Sequence, residues 1–310
     1  MEPLTFHPLY MTRVWGGRSL ESVYQRELPD SQPYGESWEI TDREEEQSLV
    51  SSGQFAGKTL HDLWTSHREE VFGEDLTGDR FPLLIKILDA RDDLSIQVHP
   101  PQEIASDLGG DPKTEMWYIA DRDPGAKLYI GLKNGATRAT FKNSLIDGTV
   151  EEQVHAVSPQ PGDSIFIPSG RLHAIGAGFL IYEIQQNSDT TYRVFDWNRM
   201  GLDGTPRDLH IKESMASIDF DDFEPGMDAP QGDTLASCEY FVIDQLELRA
   251  GDKIKNKNDR FSIITVVSGE LTFEKGRLFQ TGDFFILPRG TGELVASNQT
   301  RILQTYLPIS

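Results

Sequence analysis

The stretch Gly162-Asp163-Ser164-Ile165-Phe166-Ile167-Pro168-Ser169-Gly170-Arg171-Leu172-His173 decides the fold. Its two glycines and its proline permit tight turns on either side of a short apolar strand, Ser164 to Ile167. The next strand then begins on a histidine aimed into the interior of a small β-barrel. That is a way for an all-β protein to present a metal ligand.

Two further segments supply partners for that histidine. In Ser95-Ile96-Gln97-Val98-His99-Pro100, Gln97 and His99 are two apart and so lie on one face of a strand. In Lys113-Thr114-Glu115-Met116-Trp117-Tyr118-Ile119, a carboxylate opens an apolar, aromatic run that reads as a buried strand, where an unpaired charge is costly. Lys113 shares the face of Glu115 and reaches the same place. Gln97, His99, Glu115 and His173 form a four-ligand set suited to zinc or another divalent first-row metal.

The Gly-x5-Pro-x-Gly-x2-His spacing resembles the second motif of the cupin superfamily. The segments Gln97 to Pro100, Lys113 to Met116, the His173 motif and Tyr182-Glu183-Ile184-Gln185-Gln186-Asn187-Ser188-Asp189-Thr190-Thr191-Tyr192-Arg193 together resemble type I mannose-6-phosphate isomerases of the short bacterial form. The resemblance extends over most of the chain. It includes Val14-Trp15-Gly16-Gly17, Tyr34-Gly35-Glu36-Ser37-Trp38-Glu39-Ile40 and Asp196-Trp197-Asn198-Arg199. It implies one divalent metal per chain, zinc by expectation, held by Gln97, His99, Glu115 and His173. It also implies that mannose 6-phosphate and fructose 6-phosphate are interconverted, and that Arg193 is an active-site arginine.

An aldose–ketose interconversion moves a proton between C1 and C2 through an enediol, so it needs charge stabilisation at O1 or O2 and an acid/base group. Arg193, Lys113, Glu183 and Asp189 are the candidate catalytic residues. Lys113 and Arg193 are candidates for binding the substrate, and Arg171 is added as a possible phosphate cation because it lies two residues from His173. Two other readings use the same ligands. A non-haem iron dioxygenase would need the two histidines and the carboxylate but not Gln97. A sugar-binding bicupin without catalysis would leave a hexose 6-phosphate unchanged.

Composition narrows the partners. The 310 residues carry 29 Lys and Arg against 50 Asp and Glu, a net charge of −21, which argues against nucleic acid and anionic membranes. A small phosphate ester remains possible, held by a few local cations. Cys238 is the only cysteine, so an internal disulfide is excluded and a cytoplasmic location is expected. Its setting reads as a half-buried structural thiol. No stretch of about 20 apolar residues suggests a membrane span. His7, His61, His67, His155 and His210 read as structural, and nothing in the chain sets an oligomeric state.

The rest of the pattern predicts a mainly β protein of two cupin-like, jelly-roll barrels with inserted helices. Strands are expected over 81–88, 94–98, 115–120, 127–131, 164–168 and 179–185, and helices over about 58–72, 137–155 and 208–218. The helices are expected to wall a pocket. The frame Gly282-Asp283-Phe284-Phe285-Ile286-Leu287-Pro288-Arg289-Gly290 repeats that of Gly162 to Gly170, but Glu293 stands where His173 would be. A catalytic domain over 1–220, an acidic Pro/Gly-rich linker over 221–234 and a C-terminal domain over 235–310 without a metal site are therefore expected.

Overall fold

The computed structural model describes residues 1–257 and 259–309, so Asn258 and Ser310 of the expected C-terminal domain lie outside the described residues. The chain is mainly β, and the strands read from sequence are present. They run Leu83–Ala90, Ile96–Val98, Glu115–Arg122, Leu128–Leu132, Ser164–Ile167 and Phe179–Gln186. Gly162 and Gly170 have φ of +96° and +93°, the left-handed turns that the motif required. Gly282 and Gly290, at +89° and +67°, repeat them.

The chain forms two compact units, and they do not follow the 1–220 and 235–310 division. One comprises 1–9, 38–85 and 229–310; the other comprises 10–37 and 86–228. In the first unit the N-terminal strand Leu4–His7 pairs with Phe284–Leu287, Leu4 opposite Ile286, which commits the start of the chain to its C-terminal third. A seven-stranded and a four-stranded sheet make up this unit. Ile264, Val266, Phe285 and Ile302 of one meet Leu271, Phe273, Phe279 and Leu294 of the other in one apolar core. The helix Leu60–Ser66 starts on a capping box between Thr59 and Asp62 and buries Leu60, Leu63 and Trp64. Trp64 packs edge-on against Phe72 and Phe81.

The second unit carries most of a six-stranded sheet and all of a five-stranded sheet. Between them lies a core of Trp117, Ile119, Ile165, Ile167 and Ile181 from one sheet and Leu128, Ile130 and Ile175 from the other. The other face of the five-stranded sheet shows Ile96, Val98, Ala174 and Val194, and here the helical insertions pack through Phe141, Val150 and Ile218. The helix Arg138–Asp147 opens on the Thr137/Thr140 capping box and ends at Gly148 with φ +72°. These insertions therefore cover the back of the sheet, and none of their residues lines the cavity described below. Period-two alternation explains the arrangement: with Ile96 and Val98 committed to the helices, Gln97 must face the interior.

The first part of the expected linker is built into this unit. Arg171 grips both oxygens of Asp222 at 2.9 Å, and the Glu224 amide donates to Leu132 O. The division between units falls later, after Asp228.

Gly16 and Gly35 mark a close strand crossing. A Cβ on Gly16 would lie 2.6 Å from the carbonyl carbon of Tyr34, and one on Gly35 would lie 2.7 Å from Cβ of Arg13. Backbone cannot move aside as a flexible side chain can. Gly16→Ala is expected to lower stability by about 1–3 kcal/mol, as overpacking does. Chemical denaturation of the two proteins checks this, and coincident curves would contradict it.

Candidate metal centre and its cavity

Gln97 and His99 come from the strand Ile96–Val98 and the residue after it, and His173 opens the strand His173–Ile175, opposite Gln97 in register. Glu115 opens the strand Glu115–Arg122 of the other sheet. The two sheets thus bring together ligand types separated by up to 76 residues. His99, Glu115 and His173 are all buried, and their ligand atoms lie within 4.8 Å of one another.

The hydrogen bonds fix which histidine nitrogens are free. His99 Nδ1 lies 2.7 Å from Thr190 O, and His173 Nδ1 lies 2.8 Å from Arg171 O. A carbonyl can only accept, so each Nδ1 carries the proton and each Nε2 keeps its lone pair. Those Nε2 atoms point at Glu115, at 3.7 Å from His99 and 3.6 Å from His173. These gaps are too long for hydrogen bonds and close to the roughly 3.3 Å between ligand atoms in a tetrahedron of 2.0–2.1 Å bonds. His99 Nε2 and Glu115 Oε1 are buried with no hydrogen-bond partner, and Glu115 Oε2 has only the Lys113 ammonium, at 2.8 Å. Buried polar atoms left so are costly, and a cation bound among them removes the cost, so the residues fit a divalent metal. Gln97 donates its Nε2 to His173 Nε2 at 3.2 Å. Ligation by Gln97 would go through Oε1, after a half-turn of the amide.

Burial keeps both imidazoles neutral, pushing His99 down and His173 down to about 3. Burial alone would raise the Glu115 carboxyl, but the Lys113 ammonium at 2.8 Å holds it well below the usual carboxylate range. Lys113 is in turn desolvated, which would lower it, yet Glu115 and Glu183 outweigh this and raise it above the ordinary lysine value. It is therefore a fixed cation rather than a lysine poised to lose its proton. Glu183 is the opposite case: burial first, then the charge of Glu115, raises its carboxyl against the pull of Lys113 and Lys86.

A cavity of about 550 Å³ is lined by Gln97, Lys113, Glu183, Asp189 and Arg193 among others, so these sequence-read candidates share one space. Arg193 is partly buried, donates to Asp208 O at 2.9 Å, leaves Nε without a partner and makes no ion pair among the described residues. Asp189 sits at the rim, its side chain 49% exposed and 3.8 Å from Lys86 Nζ. Arg171 does not line the cavity, being spent on Asp222.

Several charged residues at this cavity, Lys86, Glu36 and Arg207 among them, were not singled out from sequence. Lys86 is buried, with Nζ 3.5 Å from Glu36 and 3.6 Å from Glu183. Its signal was available: a lysine in the middle of the otherwise apolar run Leu83-Leu84-Ile85-Lys86-Ile87-Leu88 has no reason to be there without acidic partners. Glu36 is held by Arg13 at 2.8 Å. Arg207 lines the cavity while bound to Asp196 at 2.7 Å.

A two-sheet β unit with a buried His–Glu–His group, next to Gln97 and Lys113 of a cavity wall, is the arrangement of a metal-binding cupin. Comparison with known proteins makes this more definite. The family model for the catalytic domain of type I phosphomannose isomerase matches residues 4–147. The mannose-6-phosphate isomerase ManA of Bacillus subtilis is 37% identical, over 99% of both chains. The mannose-6-phosphate isomerase of Streptococcus mutans is 32% identical, over 96% of this chain and 98% of that one. A crystal structure of a mannose 6-phosphate isomerase from B. subtilis superposes with a TM-score of 0.89 at 32% identity, over 99% of this chain and 100% of the other. The chain belongs to the type I phosphomannose isomerase family.

In the first unit Glu293 is exposed and paired with Lys253 at 2.6 Å, which satisfies its charge without a metal. Elemental analysis of the purified protein is therefore expected to find one divalent ion per chain. His173→Ala should lose most of it, because the shell is incomplete, while Glu293→Ala should keep it. Two ions per chain, or full retention in His173→Ala, would contradict the assignment.

Proposed function

We propose that the chain interconverts mannose 6-phosphate and fructose 6-phosphate by moving a proton between C1 and C2, with zinc held by Gln97, His99, Glu115 and His173, and that it works in the cytoplasm. No helix among the described residues is long and apolar enough to cross a membrane. The observation that carries the reading is the buried His99–Glu115–His173 group, with its orphaned ligand atoms, next to Lys113, which shares a cavity wall with Glu183, a carboxylate of raised pKa.

A divalent ion bound there would polarise the sugar oxygens at C1 and C2 without changing its oxidation state. The remaining work falls to the side chains. Lys113, permanently charged, donates to an oxygen that gains negative charge and holds Glu115 ionised. Glu183 is the carboxyl best placed to hold and release a proton, because desolvation raises its pKa while Oε1 faces Lys113 at 3.7 Å. Asp189, half exposed, is the weaker candidate for the same task and lies at the entrance. Arg193 offers a planar fork with unused donors to an enediolate or to the phosphate. It answers how a chain of charge −21 receives an anion: one cation kept out of ion pairs in the cavity wall.

A coupled assay is expected to show turnover of mannose 6-phosphate but not glucose 6-phosphate, abolished by a chelator and restored by a divalent metal. Substrate that is bound but unchanged would indicate a sugar-binding protein, and activity that requires ferrous iron and oxygen would indicate a dioxygenase. Arg193→Ala should lower kcat and kcat/KM together by ~10² to 10³ with metal content intact, the loss for one electrostatic donor in the transition state. A rise in KM alone would restrict Arg193 to the phosphate. Arg171→Ala should leave KM unchanged, since that guanidinium is committed to Asp222.

A further inference from the structure

Trp117 stands opposite Glu183 in the antiparallel pair of strands Glu115–Arg122 and Phe179–Gln186. Both residues are buried, and the indole Nε1 donates to Glu183 Oε2 at 2.9 Å. The ring also meets His173 edge-on, at a centroid distance of 5.3 Å and an interplanar angle of 81°. Glu183 Oε1, by contrast, faces Lys86 at 3.6 Å and Lys113 at 3.7 Å. The two oxygens of one carboxyl thus have different surroundings: one has a short, neutral, directional donor, the other two more distant cations.

We propose that Trp117 is a positioning residue that anchors Glu183 through Oε2 and leaves Oε1 as the oxygen that exchanges a proton with the substrate. The inference rests on the reading of Glu183 as a proton carrier. An indole N–H suits the role. It donates one bond in a fixed direction from a ring that cannot turn in a packed core, and it never titrates. A lysine or arginine at the same place would add charge and hold the carboxyl ionised. The edge contact with His173 ties the orientation of the anchor to that of a metal ligand, so that the carboxyl and the metal centre keep their spacing.

Two measurements test this. In the first, Trp117→Phe keeps an aromatic body against His173 but removes the donor. It is expected to lower kcat about tenfold or more, as loss of a hydrogen bond to a charged group does, with little change in KM and full metal content. Placed in a Glu183→Gln background, the same change should cost less than about twofold, because the partner through which it acts is already altered. Equal losses in both backgrounds, or no loss in either, would overturn the proposal.

The second is independent of activity. Of the five tryptophan indole N–H resonances, that of Trp117, assigned by its through-space contact to the His173 ring, should move upfield in Glu183→Gln as a charge-assisted bond becomes a neutral one. A resonance that stays in place would show that no such bond exists, also if Trp117→Phe fails to fold. If the unaltered protein does not isomerise mannose 6-phosphate, the functional reading fails, and the resonance still decides whether Trp117 holds Glu183.

Discussion

Glu115 is a carboxylate with no solvent exposure, and the cost of burying its charge organises everything around it. Lys113 at 2.8 Å offsets part of that cost, but an oxygen bonded to a lysine alone still leaves other lone pairs unsatisfied. Two imidazoles aim their free nitrogens at the same carboxylate, a hostile arrangement for three electron-rich groups unless a cation lies between them. The hydrogen bonds from each Nδ1 to a backbone carbonyl make the arrangement deliberate, because they prevent the rings from turning a proton toward Glu115.

From Glu115 outward the charges alternate in sign: Lys113, then Glu183, then Lys86, then Glu36, then Arg13. Each member is stabilised by its neighbours, so the state of one depends on the rest. At Glu183 burial and Glu115 act against the two lysines and raise the carboxyl. A chain of this kind concentrates proton affinity at one position while its ends remain fixed. The glycine-rich N-terminal segments serve it directly, since only a crossing free of Cβ atoms at Gly16 and Gly35 lets Arg13 and Glu36 lie where they do.

The repeated Gly-Asp-x4-Pro-x-Gly frame separates geometry from chemistry. Both copies make the same turns around the same kind of strand, Ser164–Ile167 and Phe284–Leu287. Only one leads to a histidine. In the other, an exposed pair between Lys253 and Glu293 occupies the corresponding position, and the unit is held by an apolar core that needs no metal. A motif defined by turn residues reports the fold, and the ligands must be counted separately.

Sequence by itself determined the strands, the turn glycines and the cap at Thr59, because each depends on residues close in the chain: alternation of period two, a positive φ, a cap three residues from its partner. It also singled out Lys113, Glu183, Asp189 and Arg193, which line one cavity, through the family motifs that contain them. What it missed depends on contacts between distant strands. Lys86 gained meaning only when Glu36 and Glu183 faced it, Lys113 proved to be a fixed cation only beside two carboxylates, and Arg171 was withdrawn from the site by Asp222. The division into units likewise followed strand pairing, Leu4 with Ile286, rather than the acidic stretch near residue 225. Charge interactions in a desolvated interior depend on distance and burial, and neither is written in the order of residues until the two sheets close on each other.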